Sequence, residues 1–211
     1  MLEKCTAHLL ARTDAQTNTL EQVARASDFG QIRALLSRRQ FETSDRPTKL
    51  NFFLAHHGVG RGPLVAILRS VRISTDNEVR FAPVILFSPD VAFETYLDLI
   101  RMGFDDVITL PEKPQMIVSR LSNQVEREQL YFETSDYFGP DRRRMELGPP
   151  PGIERSETAH SHTQHVFRRN ADVGVHIVRS VVKLPPARDK QVVLDRRGHS
   201  HPGDWPIRAS R

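Results

Sequence analysis

A single cysteine, Cys5, stands in a chain of 211 residues. It excludes an internal disulfide framework and suits a reducing, cytoplasmic setting, which is where the chain is expected. Long apolar runs are also missing. None approaches the ~20 residues a membrane-crossing helix needs, so no membrane partner is expected. The start, MLEKCTAHLLARTD, has no long apolar core and carries Glu3 and Asp14, against an export signal. Hydrophobic residues make up only 38% of the chain and the fourteen prolines gather mostly outside its centre, which favours one modest domain with a disordered remainder. Phosphate loops, dinucleotide fingerprints, zinc signatures and nucleophile elbows are lacking too, so the chain is not expected to be an enzyme. Gly58-Val59-Gly60-Arg61-Gly62 follows an apolar stretch, but no Lys-Ser/Thr ending completes a phosphate loop, and it reads as a flexible turn.

Charge is uneven. Residues 138–211 carry roughly +6 and the rest roughly −2. A basic tail of this kind either stays a solvated, disordered extension or touches nucleic acid or anionic lipid.

The most ordered-looking stretch is FAPVILFSPDVAFETYLDLIRMGFDDVITLPEKP, residues 81–114. Pro83 to Phe87 is a short apolar run suited to a buried parallel strand. Ser88-Pro89-Asp90 stops it and offers a helix cap. Val91, Tyr96, Leu99 and Ile100 recur near helical spacing, and Gly103 sits where a helix end wants a residue tolerant of positive φ. Val107 to Leu110 is a second apolar strand, ended by Pro111. A strand–helix–strand unit with short connections crosses over right-handed and gives two parallel strands.

Upstream, KLNFFLAHH (49–57) reads as the middle strand, and Leu64, Ile67, Leu68 and Val71 as one face of a following helix closed by Arg72. Residues 19–39 read as helix, with Asp28-Phe29-Gly30 interrupting, and Asp28 as an N-cap of the second piece. Residues 1–18 show no sustained period and are expected to be disordered. No room is evident for both a strand and a helix between that piece and the middle strand. Downstream, Met116, Ile117, Leu121 and Val125 make an amphipathic stripe over 114–130. His56 and His57 are adjacent on a strand and point to opposite faces, so they do not share a metal. His160, His162 and His165 lack further ligands nearby. Val173 to Leu184 has strand propensity, but a lone strand cannot bury its faces.

Taken in order, Ser88, Gly103-Phe104-Asp105-Asp106 and Leu110-Pro111 resemble the second half of a response-regulator receiver domain, the phosphorylatable α/β module of bacterial two-component signalling. The segment Tyr137-Phe138-Gly139-Pro140-Asp141-Arg142-Arg143-Arg144 resembles one found just after the receiver in small single-domain regulators of alphaproteobacteria. The resemblance implies a flavodoxin-like (CheY-like) parallel sheet with flanking helices over residues 19–130, shortened in its first half. An aromatic and arginine clasp would follow at 131–147, and a mostly disordered basic tail at 148–211.

It also implies a phosphorylation pocket, which is degenerate here. The acidic pair that holds Mg²⁺ in the family maps onto Ser27-Asp28, leaving Asp28 at most. The phosphoacceptor position falls on Ala55 or His56, the hydroxyl on Ser88, and the lysine is replaced by Leu110. Phosphoryl transfer to a carboxylate needs that nucleophile, the metal carboxylates and the cation together. Hence no cofactor is expected, Mg²⁺ included. The reading is an atypical response regulator acting as a phosphorylation-independent protein-interaction module. Its partner would be a signalling protein, a histidine kinase or another regulator, docked on Tyr96, Ile100 and Val107 and on Arg142, Arg143 and Arg144. The alternative is a nucleic-acid-binding protein that uses its basic C-terminal tail.

Overall fold

The computed structural model describes residues 1–35, 49–141 and 161–184. Five strands, β1 (Cys5–Leu10), β2 (Gln31–Ala34), β3 (Leu50–His56), β4 (Val84–Pro89) and β5 (Asp106–Leu110), form one parallel sheet in the order β2-β1-β3-β4-β5. That order is the doubly wound, flavodoxin-like one. Helices α1 (Asp14–Ala26) and α5 (Pro114–Ser122) cover one face, and α2 (Arg61–Arg72) and α4 (Phe93–Met102) cover the other; α3 (Asn77–Arg80) is a single turn leading into β4.

Alternation along each strand divides the core in two. Phe52 and Leu54 face Leu20, Val23, Ile117 and Leu121, whereas Phe53 and Ala55 face Leu64, Leu68, Leu99 and Phe104. All four β3 side chains are within 2% of full burial, and burial of one large apolar side chain contributes ~1.5–3 kcal/mol.

The first half differs from the sequence reading by one whole element. Residues 1–18 are not disordered: they hold β1, a central strand between β2 and β3, and the start of α1. The strand hides its character because Thr6 and His8 are polar yet buried. The His8 ring stacks on Phe53, with its Nε2 2.9 Å from Asn51 Oδ1. Helix α1 starts earlier than read, after Thr13, whose hydroxyl accepts from the Gln16 N–H at 3.3 Å. Gln31 to Ala34 is strand, not the start of a helix. The sheet is therefore not short of a strand, and β2 lies between α1 and β3 as the four-residue edge.

The second half extends beyond the parallel sheet. The stripe ends at Ser122; Val125 is buried past the helix end, and Glu126 turns the chain at φ 62. Four antiparallel strands follow: β6 (Glu128–Glu133), β7 (Phe138–Pro140), β8 (His162–Asn170) and β9 (Gly174–Lys183), in the order β7-β6-β8-β9. The boundary at residue 130 thus cuts through β6. The strand-prone segment near 173–184 is not alone, because β8 pairs with it along its length. Residues 162–183 are hence an ordered hairpin where a disordered tail was expected, while 142–160 and 185–211 fall outside the described residues. At its turn, Asn170 Oδ1 accepts from the N–H groups of Asp172 and Val173, and Gly174 follows at φ 92. A β-carbon is strongly disfavoured at that φ.

Candidate functional site

In a parallel α/β sheet, chemistry gathers where strands end at their C-terminal edge. Registers place Leu10, Ala55, His56, Ser88 and Leu110 at that edge. Four of the five residues expected in the pocket, Ala55, His56, Ser88 and Leu110, are therefore brought together along one rim. Asp28 is not among them. It follows α1 and precedes β2, so it lies at the opposite edge, with φ 57 and its N–H on Arg25 O. It closes one helix rather than capping the next, which also overturns the N-cap reading.

Between β1 and α1 stand Ala11, Arg12 and Thr13. Thr13 and Gln16 make a capping pair in which Gln16 Oε1 accepts from the Arg12 N–H at 2.9 Å. The pattern Thr-x-x-Gln is a capping-box signature legible in the sequence. Ala55 is buried among the α2-side core residues and offers no reactive atom. His56 Nδ1 accepts from the Gly58 N–H at 3.0 Å. That places the ring proton on Nε2 and leaves the lone pair engaged. Burial, and then the neighbouring His57, push the His56 pKa below its ordinary value, so the ring is neutral at pH 7. Ser88 is buried and its hydroxyl finds no protein partner among the described residues. Leu110 packs against the α1-side core and precedes a cis Pro111. Among the described residues no group of three potential metal ligands occurs, at this edge or elsewhere. His162 and His165 do not converge: His165 bonds Glu133 and Ser180, and His162 contacts Gln164.

The ionisable groups are concentrated elsewhere, between the two sheets. Asp105 Oδ2 accepts from Arg72 Nη2 at 2.6 Å and from the Val84 N–H at 2.8 Å. Its Oδ1 accepts from Arg169 Nη2 at 2.6 Å and from the Tyr131 hydroxyl at 2.5 Å. Arg72 also donates to the carbonyls of Arg80 and Ala82, and Arg169 to Phe81 O, Gln124 Oε1 and Tyr131 Oη. Side-chain exposure is 7% for Arg72, 3% for Asp105 and 0% for Arg169. Burial alone would raise the Asp105 pKa, but Arg169, Arg72 and two hydrogen bonds outweigh it and hold it at about 2. Burial pushes the Tyr131 pKa up, so it stays a neutral donor.

Around this cluster Phe81, the residue that closes α3, packs on Tyr131, Phe138 and Phe167 of the second sheet. Arg80 bonds Glu133 at 2.5 Å and lies 3.8 Å over the Phe138 ring. The neighbouring Asp106 is taken up by a forked bond from Arg120, which also donates to Val107 O. Both carboxylates of the Gly-Phe-Asp-Asp motif are thus engaged in structure. Tyr137 lies against Gly103, its hydroxyl donating to Pro140 O at 2.5 Å.

Two expected docking residues are in the core. Ile100 is 2% and Val107 0% exposed, because both point at the α2-side cluster. Tyr96 is half-buried at the surface. The large exposed apolar residues of α4 and α5 are Phe93 and Met116 instead. Phe93 sits three residues before Tyr96 and so shares its face, a spacing visible in the sequence. Arg142, Arg143 and Arg144 lie outside the described residues. A cleft of about 1030 Å³ beside α2 and α4, lined by Arg61, Arg69, Arg80 and Arg101, involves none of the expected pocket residues.

No protein-family model and no curated protein matches the chain. Solved structures similar to it include a response regulator from Thermotoga maritima (14% identity, 56% of this chain, 94% of that one, TM-score 0.43). A putative response regulator from Chloroflexus aurantiacus is similar at 16% identity over 56% of this chain and 94% of that one, TM-score 0.43. The signal receiver domain of a histidine kinase from Syntrophus aciditrophicus gives 22% over 58% and 92%, TM-score 0.42.

Proposed function

We propose that the chain is a receiver-like module of two-component signalling that works by binding a protein partner, without aspartyl phosphorylation. The observation that supports this most is the chemistry of the sheet's C-terminal edge. Arg12-Thr13 follow β1 where a metal-holding acidic pair would be needed. Ala55 and His56 end β3 where a carboxylate nucleophile would be needed, and Leu110 ends β5 where a cation would be needed. A strand order suited to carrying that chemistry is kept while the groups that perform it are not. The docking surface in this reading is the α4–α5 face, with Phe93, Tyr96 and Met116 as its apolar contacts.

The test is incubation of the full chain with acetyl phosphate and Mg²⁺, read by intact mass, beside an ordinary receiver. No gain is expected under conditions that label the control. A gain of one phosphoryl group would overturn the reading, and its loss in His56→Ala would place the group on that imidazole. Capture of a signalling protein from lysate should then weaken with Phe93→Asp and persist at high salt. Binding through phosphates to a basic tail would instead fall steeply with salt.

A further inference from the structure

One strip of α2 faces the cleft beside α4. Arg61, Val65, Arg69 and Ile73, the last just past the helix end, recur every fourth residue and all line the cleft. Each step is about 6 Å, so the two arginines stand about 12 Å apart along the helix with the valine midway. Asp98, Arg101 and Met102 of α4 make a second wall, and the turn between β6 and β7 makes a third. The cations of this cleft are unequally satisfied. Arg72 is held by Asp105, Arg80 by Glu133, and Arg101 lies 3.7 Å from Asp98. Arg61 touches the Met102 sulfur at 3.9 Å, and Arg69 makes no side-chain bond among the described residues. Both arginines are exposed, and so are Val65 at 46% and Ile73 at 59%.

The complement of such a strip has carboxylates at the two arginines, which accept forked bonds, and apolar side chains at Val65 and Ile73. A small anion alone would leave the two apolar residues in water. A nucleic-acid strand fits less well, because Asp98, Glu133 and Asp136 share the cleft and repel phosphates. The chain's own remainder is the wrong sign. Segments 36–48, 142–160 and 185–211 each carry more arginine and lysine than aspartate and glutamate, and a second copy brings a net charge of +4. The occupant that charge favours is therefore a foreign acidic segment. A helix repeats its i, i+4 side chains at the same step as α2, so carboxylate and apolar groups alternating every fourth residue register with all four strip residues together. We propose that the cleft between α2 and α4 binds an acidic amphipathic helix of another protein in this way. The site shares no residue with Phe93, Tyr96 and Met116, so it stands or falls separately from that docking face.

Fluorescence anisotropy of the full chain at physiological salt tests this. The probe is a labelled helical peptide in which glutamate and leucine alternate at every fourth residue of an alanine–glutamine background. Saturable binding is expected, weakened about tenfold when the glutamates are replaced by glutamine. Arg61→Glu/Arg69→Glu should weaken it at least as much, with an unchanged circular dichroism spectrum because both side chains are exposed. Val65→Asp should weaken it as well. Arg25→Glu/Arg127→Glu makes the same charge change outside the cleft and should leave binding intact. Absence of binding would overturn the proposal, and so would equal binding by the two double variants. Tighter binding of a single-stranded oligonucleotide of equal charge, lost in Arg61→Glu/Arg69→Glu, would overturn it in favour of nucleic acid.

Discussion

The C-terminal edge of the parallel sheet and the junction between the two sheets make opposite use of ionisable residues. The edge has the strand ends of an α/β catalytic rim but carries alanine, leucine, a buried serine and a neutral histidine. The junction holds Asp105, Arg72, Arg169 and Tyr131 in one buried hydrogen-bonded group, beside the rings of Phe81, Phe138 and Phe167. Charge that could serve chemistry at the rim is here committed to joining the hairpin to the body.

Several variants would break or sharpen this contrast. Phe81→Ala should cost most, about 3–5 kcal/mol in urea unfolding, because one ring fills the space among Tyr131, Phe138 and Phe167. Arg169→Met should cost about 3 kcal/mol, since Asp105 keeps Arg72 but Tyr131, Phe81 O and Gln124 lose their donor. Acid should act on the junction and not the rim. The folded pKa of Asp105, about 2, is depressed from its ordinary 3.8. Its contribution is therefore present above pH 4 and lost as pH falls toward 2, a drop of about 2 kcal/mol. Glu133 adds to the loss in the same direction: burial would raise its pKa, but the bonds from Arg80 and His165 lower it. Asp105→Asn should flatten that part of the stability–pH profile. Ser88→Ala at the rim should raise stability by about 1 kcal/mol, by removing a buried hydroxyl that lacks a protein partner.

The second half of the parallel sheet was legible because its strands hold short, mainly apolar runs and its helix ends at a glycine. Gly103 does close α4, at φ 103. The first half was not, because β1 buries Thr6 and His8 and β2 is three half-buried residues and an exposed Ala34, so neither shows a strand period. That misreading carried Asp28 into the pocket. The antiparallel sheet was hidden for a related reason. The inward positions of β8 are His165, Phe167 and Arg169, and an arginine in a strand reads as solvent-facing until its partner, sixty-four residues earlier, is known. Ala55, His56, Ser88 and Leu110 lie at the C-terminal ends of β3, β4 and β5, which the apolar runs of the sequence outline.

The central claim is that the ionisable groups of this chain act at the junction rather than at the rim. Urea unfolding of Asp105→Ala beside His56→Ala at pH 7 tests it most directly. Asp105→Ala leaves two guanidiniums buried without their carboxylate and should lose about 3–5 kcal/mol, while His56→Ala should lose under about 1 kcal/mol. Similar losses in both, or the larger one in His56→Ala, would contradict it.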